Sequence, residues 1–336
     1  DTYDPSNTPS PVQANCDDLK NHASADKAIT GIDPYDYNGC QGSERNHVFI
    51  DASTIGEYAF LRCQIISQVT FCKGVSTISK GAFARCSNLL SISFLDRTGS
   101  STLSIIDGAF YLCSGINTPV SIPTFVSSIA LESFAYTGRF TLNIADRSST
   151  SVSELQLGNR AFYNSNLVVA TIPHKVSIGE ETFSRCTKIE SINYQGGDIG
   201  DKAFEFCSKL KTFTFTTDST ISSIGDCVFR GTILAGKLAL PDSLRTIGDF
   251  AFYGTSISGD LNLNEVASVG ESAFQGCSGL GTLTATNVVS FGDKAFKDTE
   301  VTGNLVLNKE VVYIGEYSFY KTKITGLKIQ NTDNSK

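Results

Sequence analysis

Cys16, His22, Cys40 and His47 are the residues best suited by type to hold a metal, two thiolate and two imidazole donors in one N-terminal segment. Their spacing matches no common zinc module. A Cys16–Cys40 disulfide is the preferred reading if the compartment is oxidising. A second candidate is VGESAFQGCSGLGTLTA at 269–285, where Glu271 follows a glycine and Cys277 lies six residues on, like the lip of an active site. A third, DPYDYNG at 33–39, suggests a calcium loop. Placing Asp36 and Asn38 third and fifth puts Pro34 first and Arg45 twelfth, where acids are needed, so that reading fails. His174 is the remaining histidine of three. No nucleophile–base triad and no phosphate-binding glycine loop is suggested, so neither catalysis nor any cofactor is expected.

The Glu271 stretch recurs as IGEYAFLRC, ISKGAFARC, IGEETFSRC, IGDKAFEFC, IGDFAFYGT and IGEYSFYKT. Aligned on phenylalanine there are twelve copies: Phe60, Phe83, Phe110, Phe134, Phe162, Phe183, Phe204, Phe229, Phe252, Phe274, Phe296 and Phe319. Neighbours lie 21 to 28 residues apart. Such a period is that of a solenoid whose coils bury their apolar sides against one another. A catalytic site is normally built once, so twelve copies speak for scaffold. Glu271 then caps a short helical turn, as would the acids at the same position in other copies, and the preceding glycine allows a tight turn.

Around this turn each coil alternates. In IGDFAFYGTSISGDLNL (247–263), Ile247, Ala251, Phe252 and Ile257 point inward, and Leu261 and Leu263 flank an outward Asn262 as in a half-buried strand. The outward residues form a ladder of small, nearly uncharged side chains: Thr70, Ser93, Ser121, Asn143, Thr171, Asn193, Thr214, Asn262 and Thr284. This is the candidate binding face. It lacks the Tyr, Trp and Arg anchors common at protein interfaces. Six of the ten cysteines sit three residues after the phenylalanine, where other copies carry Thr or Ser. That interchange calls for a small packing side chain that donates a hydrogen to a nearby carbonyl, and the six are expected to be free thiols.

The pattern IG(D/E)xAFxxC followed by a short LxL or IxF strand resembles the BspA-like class of leucine-rich repeats over residues 48 to about 329. The resemblance implies a surface or secreted protein that adheres to host or matrix proteins, and it transfers no catalytic residues. The expected fold is an α/β repeat solenoid, leucine-rich-repeat-like, of about twelve coils with one parallel β-sheet face and short helical turns. Residues 1–47 read as an N-terminal cap and lead-in, 48–330 as the solenoid and 331–336 as a polar tail.

Composition limits the partners. A net charge of −7, spread along the chain, gives no basic footprint for nucleic acid, and no apolar run is long enough to span a membrane. The absence of methionine, even at position 1, fits a processed or partial product. Ile324, Leu327 and Ile329 in the last coil form an apolar end that the polar tail is too short to cover, a candidate assembly end. The expected function is a secreted or cell-surface adhesion module without catalysis. Its alternative is a structural subunit of an extracellular filament or matrix, assembled through solenoid ends. The expected partners are proteins: other copies of the chain, or matrix and host-surface proteins.

Overall fold

The computed structural model describes residues 16–97, 101–216 and 219–330. The chain divides into two compact units, Asp1–Ile189 and Glu190–Lys336. Each unit is a parallel β-solenoid built on the same coil.

In the first unit one face carries Asn46–Ile50, Ile66–Phe71 and Ser91–Phe94 paired in parallel, followed by Val120–Ile122, Thr141–Ile144 and Val169–Ile172. These strands alternate inward apolar and outward polar residues, which suits a sheet with one buried face. A second face is also parallel sheet. It runs through Thr54–Ile55, Thr77–Ile78, Leu103–Ile105, Val126–Ile129, Leu155–Leu157 and Val176–Ile178. The second unit repeats both faces, with Thr246–Ile247, Ser268–Val269 and Ser290–Phe291 on the second one. Two parallel faces therefore replace the single one expected from sequence.

The third side holds the AF segments, and here the expected helical turns are absent. Among the described residues the helices are 3-10 pieces at Cys16–His22 and Ala25–Lys27, outside these turns. The residues two before and two after each aromatic lie in the left-handed region, for example Tyr58 (φ 55°) and Arg62 (φ 57°) around Phe60. No right-handed helix accommodates that alternation. Alternate amides instead bond within and between coils. Ala59 N–H donates to Gly56 O at 3.3 Å, and Phe60 N–H donates to Ala82 O of the next coil at 2.7 Å. The turn side is thus a third inter-coil ladder rather than an α layer.

Inside, the rings stack in a column. Phe60, Phe83, Phe110, Phe134, Phe162 and Phe183 follow one another at centroid distances of 4.7, 5.4, 4.9, 5.3 and 5.3 Å, all nearly parallel. In the second unit Phe204, Phe229, Phe252, Phe274, Phe296 and Phe319 do the same. All are fully buried except Phe319, half-buried in the last coil.

The column begins earlier than the phenylalanine repeat shows. Tyr37 stacks on Phe60 at 4.8 Å, Ile32 bridges Ile55 in parallel, and Tyr37 N–H donates to Ala59 O. Residues 32–40 are a coil with tyrosine in the phenylalanine position and Cys40 in the cysteine slot. Seven coils in the first unit and six in the second make about thirteen, one more than the twelve expected.

Candidate functional site

Within each unit several ladder residues pair in register. Thr70 pairs with Ser93; Ser121 with Asn143 and Asn143 with Thr171; in the second unit Asn193 pairs with Thr214 and Asn262 with Thr284. Ser93, Ser121, Asn143, Thr171, Asn193, Thr214, Asn262 and Thr284 are all exposed. Thr70 is not: it is 4% exposed. The strand Asn46–Ile50 adds a coil beside it, and the Thr70 hydroxyl is bonded to His47 Nε2 at 2.9 Å and to Ser93 Oγ at 2.7 Å. Burial favours the neutral form of His47. Between Thr214 and Asn262 the ladder is interrupted, because the intervening coil pairs only through Ala235 and Gly236.

A recess on this face lies in the first unit. A groove of about 470 Å³ is lined by Ser93, Ser121 and Asn143, by Ile92, Phe94, Ile122 and Ile144 of the same strands, and by Asp96, Pro119 and Pro123. Hydroxyls, one amide and one carboxylate can hydrogen-bond an extended chain laid across the strands. The donor and acceptor spacing follows the inter-strand distance of about 4.8 Å.

A second groove, which the sequence did not announce, lies on the other sheet face of the second unit. It measures about 680 Å³ and is bordered by hydroxyls of Ser223, Thr246, Ser268 and Ser290 and by carboxylates of Asp201, Asp226, Asp249, Glu271 and Asp293. Four of the five carboxylates are committed to the scaffold. Oδ1 of Asp201, Asp226, Asp249 and Asp293 accepts the N–H of Asp226, Asp249, Glu271 and Glu316, respectively, at 2.6–2.8 Å. The aspartates of the repeat therefore do not cap their own turns; they tie each coil to the next, whereas the Glu271 carboxylate lies 4.0 Å from Lys294 Nζ. The glycine before the acid is also explained differently. A Cβ on Gly225, Gly248 or Gly270 would stand 2.4–2.5 Å from the preceding coil's aspartate oxygen, so glycine serves close approach rather than a tight turn.

The thiols are built into the same inter-coil bonding. Cys86 Sγ donates to Phe60 O and Cys113 Sγ to Phe83 O, both at 3.0 Å and both reaching the preceding coil. Threonine in this slot turns to its own coil: Thr255 Oγ1 donates to Phe252 O at 2.9 Å. Burial raises the Cys63 and Cys86 thiols well above their ordinary value, and pushes Cys186 up to about 12 and Cys277 to about 11. None of these is a nucleophilic thiolate at neutral pH. Cys277 donates to Phe252 O in the core, whereas Glu271 lies at the surface beside Lys294. Cys16 and Cys40 are joined as a disulfide, with Cα atoms 5.6 Å apart, and the remaining cysteines are free and buried. No group of His, Cys, Asp and Glu among the described residues could hold a metal ion. No helix of the described residues is long and apolar enough to cross a membrane.

A family model described as the BspA type leucine rich repeat region, six copies long, matches residues 30–155, 104–232 and 197–325. The chain belongs to the BspA-type leucine-rich repeat family. Among solved structures it is similar to a leucine-rich repeat protein from Bacteroides ovatus, at 20% identity and a TM-score of 0.56. That likeness covers 89% of this chain and 78% of the other. A leucine rich cell surface protein from Faecalibacterium prausnitzii is 20% identical over 91% of this chain and 84% of that one, with a TM-score of 0.41. No curated protein matches the chain. The BspA-type match begins at residue 30, close to where the tyrosine-bearing coil starts.

Proposed function

We propose that this BspA-type chain is a secreted or cell-surface protein-binding module that works without catalysis, through the polar ladder of its first unit. One observation carries the reading. Ser93, Ser121, Asn143 and Thr171 stand exposed on one sheet face, with Ser121, Asn143 and Thr171 in register, and the groove lies along the first three. The other groove uses its aspartates to hold coils together, whereas most of the ladder is free to meet a partner. Neutral hydroxyls and amides favour an extended, hydrogen-bonding polypeptide over a highly charged ligand.

The test uses the whole chain and a panel of immobilised extracellular-matrix proteins, namely fibronectin, laminin and collagen. Saturable binding to one of them should weaken at least about tenfold, or 1.4 kcal/mol, in Asn143→Arg and in Ser121→Arg. Thr246→Arg, exposed on the other sheet face, is the control and should bind as the parent does. Equal loss in all three, or in none, would remove the ladder from the account.

A further inference from the structure

The first two hydroxyls of the ladder are linked to a histidine. His47 Nε2 lies 2.9 Å from Thr70 Oγ1, and Thr70 Oγ1 lies 2.7 Å from Ser93 Oγ. Strand register sets this up: His47 and Phe49 stand beside Gln68 and Thr70, and Thr70 stands beside Ser93. The His47 ring stacks on Phe49 with centroids 4.5 Å apart. Thr70, in the middle, is buried. Ser93, at the far end, is exposed and lines the groove of the first unit.

We propose that the hydrogen on His47 Nε2 decides what Ser93 offers a partner in the groove, a lone pair or a hydrogen. Thr70 has one hydrogen and two partners, and it is buried, so a change at one end of the chain passes to the other. A bare Nε2 accepts from Thr70, because an imidazole nitrogen is a stronger acceptor than a hydroxyl oxygen. Thr70 Oγ1 then accepts from Ser93, and Ser93 faces the groove with lone pairs only. In the protonated ring Nε2–H donates to Thr70, and Thr70 donates to Ser93. The Ser93 hydrogen is then released toward the groove, since its other acceptor, Val69 O, lies 3.5 Å away. A partner that fits this rung at neutral pH therefore presents an N–H to Ser93, and in acid the rung suits a carbonyl instead. This refinement rests on the ladder as the binding face. Ile66–Phe71 and Ser91–Phe94 contain no titratable residue. The 3-10 segments packed on Asn46–Ile50 contain Asp17, Asp18, Lys20, His22, Asp26 and Lys27. Arg45, just before that strand, donates to the carbonyls of Glu44 and Gln64. Burial moves the His47 ring below its ordinary 6.5, so the switch lies on the acid side of neutral.

Nuclear magnetic resonance of the whole chain, labelled in serine carbon and histidine nitrogen, reads the relay without any partner. On titration from about pH 7.5 to about pH 5 a bare Nε2 should gain its hydrogen, and the Ser93 Cβ resonance should move with the same midpoint. In Thr70→Val, which keeps the shape and removes the hydroxyl, His47 should still titrate while Ser93 stays put. Ser93 should also stay put in His47→Gln, whose amide oxygen accepts from Thr70 without titrating. Over the same range, binding to immobilised fibronectin, laminin or collagen should weaken about tenfold in the parent and hold steady in His47→Gln, because only the parent turns a donor toward the partner's N–H. Three results overturn the proposal: an Nε2 that carries hydrogen at about pH 7.5, a Ser93 resonance that ignores the ring, or one that still follows it in Thr70→Val. An equal acid loss of binding in the parent and in His47→Gln overturns it as well. If no matrix protein binds at any pH, the ladder reading fails, while the Ser93 resonance still decides the relay.

Discussion

A Cβ placed on Gly248 would stand 2.4 Å from Oδ1 of Asp226, one coil earlier. The carboxylate occupies the space that any other residue's side chain would need, and it does so to reach the N–H of Asp249 at 2.7 Å. The two features of the repeat, glycine then acid, are thus one device spread over adjacent coils. Gly248→Ala should lower stability by about 1–3 kcal/mol, the usual cost of forcing atoms into a filled site. Asp226→Asn keeps the accepting oxygen and should cost much less than Asp226→Ala, which leaves the Asp249 amide without its acceptor. Urea unfolding midpoints of the three variants would show whether the order holds.

The same device makes stability depend on acid. The Asp293 carboxyl is held below its ordinary value of 3.8, first by the Tyr313 hydroxyl donating to it and then by the Glu316 N–H. A carboxyl whose folded pKa is depressed stabilises the fold above its unfolded pKa, and loses that contribution as pH falls through the folded value. Thermal midpoints recorded downward from about pH 5 should therefore fall more steeply for the parent than for Asp293→Asn, which retains the acceptor but does not titrate. Parallel curves would show that Asp293 contributes nothing to acid sensitivity.

Much of this scaffold was legible because its strongest signals are local. The phenylalanine period shows on aligning the copies, and the inward–outward alternation of LxL strands such as Leu261–Leu263 is visible within a coil. The outward ladder followed from them, apart from Thr70, which is hidden by a strand lying upstream of the first phenylalanine coil. The second sheet face escaped notice because strands like Thr246–Ile247 are two residues long, too short to show a period. The acids were misread because their bonds reach 22 to 25 residues ahead, whereas spacing along the chain suggests a cap on the nearest turn. The first coil was masked by Tyr37 in the ring position and by Asp33 where most copies carry glycine.

The turn side offers a test of backbone rather than side-chain chemistry. Lys294 holds φ 57° two residues before Phe296, and Gly254 holds φ 67° two residues after Phe252. A left-handed residue with a Cβ costs roughly 1–2 kcal/mol, and glycine avoids most of that while losing more entropy on folding. Lys294→Gly should therefore stabilise the protein by about 0.5–1 kcal/mol, and Gly254→Ala should destabilise it by about 1 kcal/mol. No atom outside its immediate neighbours lies within 4 Å of a Cβ on Gly254, so the second effect is free of steric clash. Opposite signs in differential scanning calorimetry would mark the turn as a strained but obligatory element. A stabilising Gly254→Ala would mean that the turn is not left-handed there.

The ring column should show how far a coil's stability depends on having a neighbour on each side. Phe252 lies between Phe229 and Phe274, 5.1 Å from each, and is fully buried. Phe319 touches Phe296 at 5.6 Å and has no ring beyond it among the described residues. Truncating Phe252 removes contacts in both directions and leaves a cavity that two stacked coils cannot close, so Phe252→Ala should cost about 3–5 kcal/mol. Phe319→Ala opens a site that solvent already reaches and should cost about half as much or less. A Phe319 penalty equal to that of Phe252 would mean that the end coil is packed like an interior one.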